Sequence, residues 1–225
     1  MAKLLLFDID GTLMKTSSLD LHVKAFSHGF RKVYGIDTHI GKLGKRSYGQ
    51  LDKRIIYEVL KLHGLSDQTI FSRIDEMIEE MSDYFVKHVK DARMEAIPGV
   101  KEALEQLKRK EGLVLGLLTG NLERIAWAKL EKMGIKDYFS LGAFGNEAME
   151  RYKLVEIAKQ KVQQAIEETY VIGDTPRDIE AAKKGGAISI AVTTGNFDEE
   201  GLRQHNPHYL ISDLRELERI ILRDG

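Results

Sequence analysis

Aspartates follow two of the apolar runs in the sequence, at the positions where a strand would end. Asp8 and Asp10 come after the first run, and Asp174 and Asp178 come after the third. Carboxylates gathered at one place repel one another and raise one another's pKa unless a cation lies among them. The surrounding residues offer oxygen ligands without His or Cys, and such a set favours Mg²⁺, which commonly binds one or two carboxylates together with phosphate and water. The spacing therefore predicts a metal site.

The first pair of aspartates also suits phosphoryl transfer. This reaction needs an in-line nucleophile while the equatorial oxygens of the phosphoryl group are neutralised and held. Asp8 is the candidate nucleophile, because a carboxylate can accept the phosphoryl group. Asp10, two residues further on, fits a general acid that protonates the departing alkoxide and a general base that later deprotonates water.

Hydrogen-bond donors follow the second apolar run as Thr119-Gly120-Asn121. The side chains of Thr119 and Asn121 can donate to phosphate oxygens, and the backbone N–H groups around Gly11 and Gly120 can do the same. Residues of these types are common in any turn, so the prediction depends on three strand ends carrying them together.

Short apolar runs with polar or glycine boundaries predict the sheet that would bring these residues together. Continuous hydrophobicity is typical of parallel strands covered by helices on both faces. Its alternation with helical patterns predicts an α/β fold, a doubly wound parallel sheet whose ligands bind beyond the carboxyl ends of the strands. The predicted strands are 3–7, 113–118, 170–172 and 188–192, with weaker ones at 138–141 and 208–211, and the predicted helices are 100–110, 123–133, 154–164, 178–184 and 214–222.

Residues 16–94 interrupt this alternation. They contain long amphipathic patterns at 19–34, 51–63 and 67–87 without a good strand between them. We interpret them as an all-helical cap domain inserted into a core made of residues 1–15 and 95–225. A cap over the crevice would exclude water and select the leaving group.

Taken together, these motifs resemble the haloacid dehalogenase superfamily, specifically its phosphatase branch with a helical cap of the phosphoglycolate phosphatase kind. Asp8-x-Asp10-Gly11-Thr12 resembles the nucleophile segment of that family. Leu117-Leu118-Thr119-Gly120-Asn121 resembles the second conserved segment, and Gly173-Asp174-x-x-x-Asp178 resembles the acidic fourth. The resemblance extends along the length of the chain.

The resemblance implies roles for the matching residues. The first aspartate of the family, here Asp8, is phosphorylated, and the second, Asp10, acts as acid and base. Mg²⁺ is held by Asp8, by the backbone carbonyl of Asp10 and by Asp174, while Asp178 supports the metal ligands from behind. The candidate substrate-binding residues of the core are Gly11, Thr12, Gly120 and Asn121.

A basic residue that binds nucleophile and phosphate is usually a Lys in a Lys-Pro pair in this family, and this chain departs from that pattern. It offers Arg151 and Lys153 ahead of the fourth strand. We favour Arg151 as the catalytic residue, because the predicted helix begins near Leu154 and the basic residue of the family stands a few positions before it.

The cap contributes a candidate substrate loop. Residues 49–52, Gly-Gln-Leu-Asp, resemble the Gly-Lys-Thr-Asp loop of phosphoglycolate phosphatases, with Gln-Leu in place of Lys-Thr. This difference weakens the case for phosphoglycolate, although a basic loop containing Lys45 beside Gly49 would suit an acidic substrate. A solvated turn between helices is an equally good interpretation. The seven His have no metal-ligand spacing and are interpreted as structural or solvated.

Composition limits the remaining possibilities. The 34 Lys and Arg against 35 Asp and Glu give a net charge of −1, so nothing indicates a nucleic-acid partner. The absence of Cys excludes disulfides and thiolate catalysis and fits a reducing cytoplasm. No apolar stretch approaches the ~20 residues of a membrane-spanning helix, so we expect no membrane partner. Monomer and homodimer both remain open.

The sequence thus predicts a Mg²⁺-dependent phosphatase that hydrolyses a small phosphomonoester, phosphoglycolate or a similar phosphorylated metabolite, through an aspartyl phosphate. One alternative is a phosphosugar mutase, which would keep both Asp8 and Asp10. Another is a non-catalytic phospho-acceptor or regulatory protein, which would need no second carboxylate for acid-base work.

Overall fold

Six parallel strands form the sheet in the computed structural model, which describes residues 2–222. In chain order they are β1 (Ala2–Phe7), β2 (Leu113–Leu118), β3 (Leu141–Ala143), β4 (Ile166–Gly173), β5 (Ile188–Val192) and β6 (Tyr209–Ile211). They lie side by side in the order β3-β2-β1-β4-β5-β6. The chain therefore winds outward in both directions from β1, which confirms the predicted doubly wound α/β fold.

Helices cover the sheet and form the insertion. Those of the insertion are α1 (Asp20–Tyr34), α2 (Asp52–Leu62), α3 (Asp67–Phe71) and α4 (Ile74–His88). Those that follow are α5 (Val100–Lys108), α6 (Glu123–Met133), α7 (Arg151–Gln160), α8 (Pro176–Lys184), α9 (Glu199–Arg203) and α10 (Leu217–Ile221). Short 3₁₀ turns lie at Thr16–Ser18, Ile40–Ser47, Val89–Asp91, Lys136–Tyr138 and Leu214–Glu216. Within residues 2–222, none of the helices is long and apolar enough to cross a membrane.

The register of β1 decides which loops meet. Phe7 pairs with Leu117 on one side and with Ile172 on the other. The residues just past these three positions therefore emerge together at the carboxyl edge of the sheet. This edge includes the boundary between β1 and β4, where the strand order reverses and where ligands bind in open α/β sheets. Leu4, Leu5, Leu6 and Phe7 are fully buried, as strands covered on both faces require.

The insertion leaves and rejoins the core through two segments that lie against each other. The backbone N–H of Lys15 donates to the carbonyl of Glu95 at 3.0 Å, and that of Ile97 donates to the carbonyl of Leu13 at 3.0 Å. An ion pair of 2.7 Å joins the Lys15 and Glu95 side chains. The two connections are thus tied together where the helical segment begins and ends.

An apolar cluster holds the insertion together. Phe26 and Phe30 of α1 pack in it with Met77, Met81 and other side chains of α4. Gly29 permits close approach of the two helices, because a Cβ at that position would lie 2.6 Å from Sδ of Met77. The cluster continues onto Leu122 and Ile125 of the core, so the insertion packs firmly against α6.

Several predicted element boundaries are wrong. The pattern at 67–87 is two helices, because Arg73 leaves helical geometry (φ −129°, ψ 7°) and the Ser72 hydroxyl donates to the carbonyl of Thr69. The helix predicted at 154–164 begins at Arg151, since Glu150 is its extended N-cap, and it ends at Gln160. The strand predicted at 138–141 is displaced to Leu141–Ala143 behind a 3₁₀ turn.

Candidate active site

The turn after β1 places both aspartates at the carboxyl edge of the sheet. The Asp8 backbone N–H donates to the carbonyl of Ile172 at 2.9 Å, so the ladder with β4 extends to this residue. Gly11 turns the chain at a φ of +91°, and a Cβ there would lie 2.3 Å from Oδ2 of Asp174. Only glycine allows this conformation and this approach at once. The turn therefore brings the ends of β1 and β4 into contact.

Asp8, Asp174 and Asp178 form a buried group of carboxylates, each offering an oxygen within 4.8 Å of the others. Burial, together with the charges of Asp178 and Asp8, raises the pKa of Asp174 well above its usual range. The Thr12 hydroxyl donates to Oδ1 of Asp174 at 3.1 Å. Crowded, buried oxygen ligands of this kind fit a hard divalent cation, whose charge would offset their repulsion.

Asp178 lies within this group and also has a structural function. Its Oδ2 accepts hydrogen bonds from the backbone N–H and the hydroxyl of Thr175, at 3.0 and 2.6 Å, in a capping box at the start of α8. Its Oδ1 lies 2.6 Å from Nη2 of Arg151. One oxygen therefore fixes the helix and the other faces the charged cluster, so the side chain is both a helix cap and a member of the carboxylate group.

Arg151, the first residue of α7, is the basic side chain that reaches the nucleophile candidate. Its Nη2 lies 3.0 Å from Oδ1 of Asp8, and the guanidinium also donates to the backbone carbonyls of Leu118 and Gly49 at 3.2 and 3.1 Å. Burial raises the pKa of Asp8 to about 6, although the Arg151 charge opposes this shift. Lys153, the other sequence candidate, is exposed on the same helix.

Asp10 is not a member of the carboxylate group and pairs instead with a lysine that sequence reasoning missed. Lys129 of α6 is fully buried, and its Nζ donates to both Asp10 oxygens at 2.7 and 2.8 Å and to Oδ1 of Asn121 at 2.6 Å. Burial alone would raise the pKa of Asp10, but the charge and hydrogen bonds of Lys129 hold that pKa below its usual value. Asp10 is therefore kept as a carboxylate.

The second predicted segment lies next to Asp10. The Asn121 side-chain amide donates to Oδ2 of Asp10 at 2.8 Å and to Oγ1 of Thr119 at 2.7 Å. Thr119 and Asn121 are both buried. Of the residues proposed from this segment, Asn121 and Gly120 line the cavity described below.

The network around Asp10 continues into the insertion. Lys129 Nζ lies 3.2 Å from Nδ1 of His22, whose Nε2 lies 2.9 Å from Oδ2 of Asp52. The same Asp52 oxygen accepts the backbone N–H of Leu122 at 3.0 Å, and the Asp52 backbone N–H donates to the Gly120 carbonyl at 2.8 Å. The simplest tautomer has Nε2–H of His22 donating to Asp52 and Nδ1 accepting from Lys129. His22 is thus buried and joins cap and core, which is the structural one of the two roles predicted for the histidines.

The loop before α2 closes over the core. A Cβ on Gly49 would lie 2.4 Å from Oγ1 of Thr175, and a Cβ on Gly120 would lie 2.2 Å from the Gln50 carbonyl oxygen. Arg177 donates to the carbonyls of Tyr48 and Arg46. Lys45, in contrast, is exposed and does not line the cavity between the two parts, so the structure does not bring it to the other candidates.

A cavity of about 400 Å³ lies between the aspartates and the insertion. Asp8, Asp10, Asp174, Asn121 and Arg151 face it from the core. Its volume lies within the range of small-molecule sites, ~300–1,000 Å³. The core side of the cavity can bind an anion and a cation together, whereas the insertion limits what else enters.

Comparisons with known proteins agree with this arrangement. The chain is 28% identical to phosphoglycolate phosphatase of Synechococcus elongatus over 215 residues, covering 95% of this chain and 94% of that protein. It is 26% identical to pyrophosphatase PpaX of Oceanobacillus iheyensis over 226 residues, with coverages of 96% and 95%. The crystal structure of a predicted phosphatase from Clostridium acetobutylicum superposes with a TM-score of 0.72 at 22% identity, covering 99% of each chain.

The family model of haloacid dehalogenase-like hydrolases matches residues 5–192, from the first strand to the end of β5. This match covers most of the chain and includes all three strand ends that carry the candidate residues. It confirms the resemblance of the sequence motifs, and the chain belongs to the haloacid dehalogenase-like hydrolases.

Proposed function

We propose that the chain is a Mg²⁺-dependent phosphatase that hydrolyses a small phosphomonoester through an aspartyl phosphate on Asp8. The observation that carries this proposal is the position of Asp8, which lies 3.0 Å from the Arg151 guanidinium and within 4.8 Å of two further carboxylates at a cavity wall. Few other reactions need a carboxylate nucleophile, a guanidinium and a divalent-cation site together. The names of the relatives above support the same class of activity.

In the first half-reaction, an Asp8 oxygen attacks phosphorus, the Asp–phosphate bond forms and the bond to the leaving oxygen breaks. For this step Asp10 must first take up a proton, against the Lys129 charge that favours its carboxylate form, and it gives that proton to the departing oxygen. Arg151 neutralises phosphoryl oxygens next to the nucleophile; its Nε is buried without an acceptor among the described residues, so the guanidinium retains a donor.

In the second half-reaction, Asp10 takes a proton from the attacking water, whose oxygen bonds to phosphorus as the Asp8–phosphate bond breaks. Nζ of Lys129 donates to the two Asp10 oxygens at 2.7 and 2.8 Å and so stabilises the carboxylate form that accepts this proton. Asp8, Asp174 and the backbone carbonyl of Asp10 would hold Mg²⁺, with Asp178 beside them. When bound, the ion supplies charge neutralisation for the carboxylates and the transferring phosphoryl group.

The test is hydrolysis of p-nitrophenyl phosphate by the whole chain. We expect turnover with Mg²⁺, loss on chelation and recovery on adding Mg²⁺ back. Asp8→Asn removes the nucleophile, so its rate should fall by at least roughly 10³-fold. A phosphate label that is released by hydroxylamine should appear on the native chain and not on Asp8→Asn.

Metal-dependent turnover retained by Asp8→Asn would contradict the mechanism. Formation of an isomer from a hexose 1-phosphate, without hydrolysis of an ester panel, would instead indicate the mutase alternative. In that case the phosphoryl group would pass from Asp8 to a sugar hydroxyl rather than to water.

A further inference from the structure

The two sides of the cavity differ in chemistry. The core side carries charged and amide groups, as described above. The insertion side is largely apolar and is built from the side chains of Leu19, Val23, Phe26, Ile40 and Ile55. Because the phosphoryl group must lie at Asp8 on the core side, the rest of the substrate faces this apolar surface, which we call the roof.

The positively charged side chains in and beside the cavity are already paired with carboxylates. Among the described residues that line it, Arg151 is the only Lys or Arg. Its guanidinium is shared between Asp8 and Asp178, at 3.0 and 2.6 Å, and it faces the phosphoryl position. Lys129, just behind Asp10, is paired with that carboxylate. Neither cation is free for a second anionic group on the substrate.

The basic residues of the insertion are directed elsewhere. Lys42, Lys45 and Arg46 are exposed and do not line the cavity, and Nζ of Lys42 lies 3.1 Å from Nε2 of His63. The two histidines of the lining do not replace them. His22 has both ring nitrogens occupied by Lys129 and Asp52, and His39 stands exposed at the rim.

Negative charge, in contrast, extends to the roof side. Asp52 of the insertion lines the cavity in addition to the aspartates of the core. A carboxylate or second phosphate on the leaving group would lose water against apolar side chains, find no cation and be repelled by Asp52. A neutral, apolar group would instead gain from burial against the roof. The polar side chains of Ser47 and Gln50, also in the lining, can serve a hydroxyl.

We propose that the substrate is a phosphomonoester of an uncharged, largely apolar alcohol. This inference rests on the proposed phosphatase function and names the substrate class of that same site. It separates the chain from substrates with a second anion, such as phosphoglycolate and pyrophosphate, whose names are attached to its relatives. The roof, not the core side of the cavity, makes this distinction.

The test compares isobutyl phosphate with phosphoglycolate, which has a carboxylate in place of the isopropyl group, and with pyrophosphate. The measurement is kcat/KM for the whole chain with Mg²⁺, and p-nitrophenyl phosphate is the reference substrate. We expect isobutyl phosphate to be preferred by at least about tenfold over both alternatives that carry a second anionic group, because the cavity leaves that second anion unpaired.

A pair of variants at Val23 makes the test specific for charge. Val23 is partly exposed at the roof, so substitution there is compatible with folding. Val23→Lys should shift the kcat/KM ratio towards phosphoglycolate by about tenfold or more relative to Val23→Met, which adds similar length without a charge. Circular dichroism and a thermal melt of both variants check that each keeps the native fold.

The outcomes separate the two proposals. If p-nitrophenyl phosphate is hydrolysed and phosphoglycolate or pyrophosphate is preferred over isobutyl phosphate, the inference about substrate class is overturned while the phosphatase function stands. If the Val23→Lys ratio equals that of Val23→Met, the roof does not select by charge, and the inference is again overturned. If no ester is hydrolysed with Mg²⁺, the proposed function fails and the inference with it.

Discussion

The two sides of the cavity are built in different ways. On the core side, Asp8 and Asp174 stand at the ends of paired strands, and the register of β1 with β4 fixes their separation. On the roof, Val23 and Ile55 come from helices whose positions depend on packing between α1, α2 and α4. Hydrogen-bonded strands therefore place the reacting groups, whereas helix packing shapes the space for the leaving group.

This difference separates catalysis from selection. A change on the core side alters groups that react with any phosphate ester, so it should lower kcat for every substrate. A change on the roof alters only what reaches those groups, so it should appear mainly in KM and in substrate preference. Variants of matched chemistry on the two sides can establish or disprove this division.

Arg151→Met should have the largest effect of the variants considered below. It removes the guanidinium beside Asp8 and leaves Asp8 and Asp178 buried without their cation. We expect kcat to fall by roughly 10²–10³-fold for every ester, as for the loss of a charge-stabilising donor. The free energy of unfolding should fall by roughly 3–5 kcal/mol, since breaking a buried ion pair strands its partners. Steady-state kinetics and denaturant titration measure the two effects.

Lys153→Met is the matched control for Arg151. Lys153 lies two residues further along α7 and is exposed, so its loss should change neither kcat nor stability measurably. Equal losses from both variants would show that the assignment of the phosphate-binding cation to Arg151 is wrong. Arg151→Lys should recover only part of the rate. A lysine ammonium lacks the planar, forked group with which the Arg151 guanidinium reaches Asp8, Asp178 and two backbone carbonyls at once.

Lys129→Met should slow the second half-reaction in particular. Without Lys129, the carboxylate form of Asp10 that deprotonates water is no longer stabilised by two hydrogen bonds of 2.7 and 2.8 Å. We expect a loss of about 10²-fold in steady-state turnover, the lower range for general-base catalysis. Because the first half-reaction is less affected, a rapid burst of p-nitrophenol should precede the slow phase in stopped-flow traces.

The burst distinguishes this role from a merely structural one. A variant that is only less well folded would lose amplitude and rate together, without accumulation of the aspartyl phosphate. Lys101→Met, at an exposed position on α5, provides the control for the substitution itself. Loss of turnover in Lys129→Met without a burst would remove Lys129 from the second half-reaction.

The core side of the cavity was largely predictable from sequence, because its residues directly follow strands that the sequence identifies. Continuous apolar runs identify β1, β2 and β4, and parallel pairing then forces Asp8, Thr119 and Asp174 to one edge. Gly11 and Thr12 lie next to Asp174 because they belong to the turn that follows β1. Backbone hydrogen bonding leaves little freedom once the strands are identified.

The contacts between cap and core could not be predicted in the same way. His22, Asp52 and Lys129 come from three helices, and their meeting depends on how the insertion packs on α6. One signal was available for Lys129, which stands on the buried stripe of α6 among apolar neighbours, namely Ile125, Ala126, Leu130 and Met133. The ammonium group of a lysine on such a stripe needs buried polar partners. The identity of the partner still depends on tertiary structure.

Gly49→Ala tests the loop that closes the roof. The new Cβ would lie 2.4 Å from Oγ1 of Thr175, and the position has a φ of +65°. The loop must therefore move away from the core, and we expect KM to rise by about tenfold with kcat changed less, since strain of this kind costs about 1–3 kcal/mol. Gly64→Ala has the same backbone strain, at a φ of +79°, but meets nothing within 4 Å. An equal rise in KM for Gly64→Ala would show that backbone strain alone, and not contact with Thr175, causes the effect.

Asp52→Asn should have the smallest effect and tests the hydrogen bonds that hold cap to core. Its Oδ2 accepts from His22 and from the backbone N–H of Leu122. An asparagine keeps one acceptor oxygen and loses the charge, so we expect a rise of about fivefold in KM, near the net value of one hydrogen bond. Faster hydrogen exchange at Leu122 should accompany it, while kcat for p-nitrophenyl phosphate stays close to that of the native chain. A fall in kcat as large as that of Lys129→Met would show that Asp52 acts on Asp10 through His22, and the division between catalytic core and selecting roof would no longer hold.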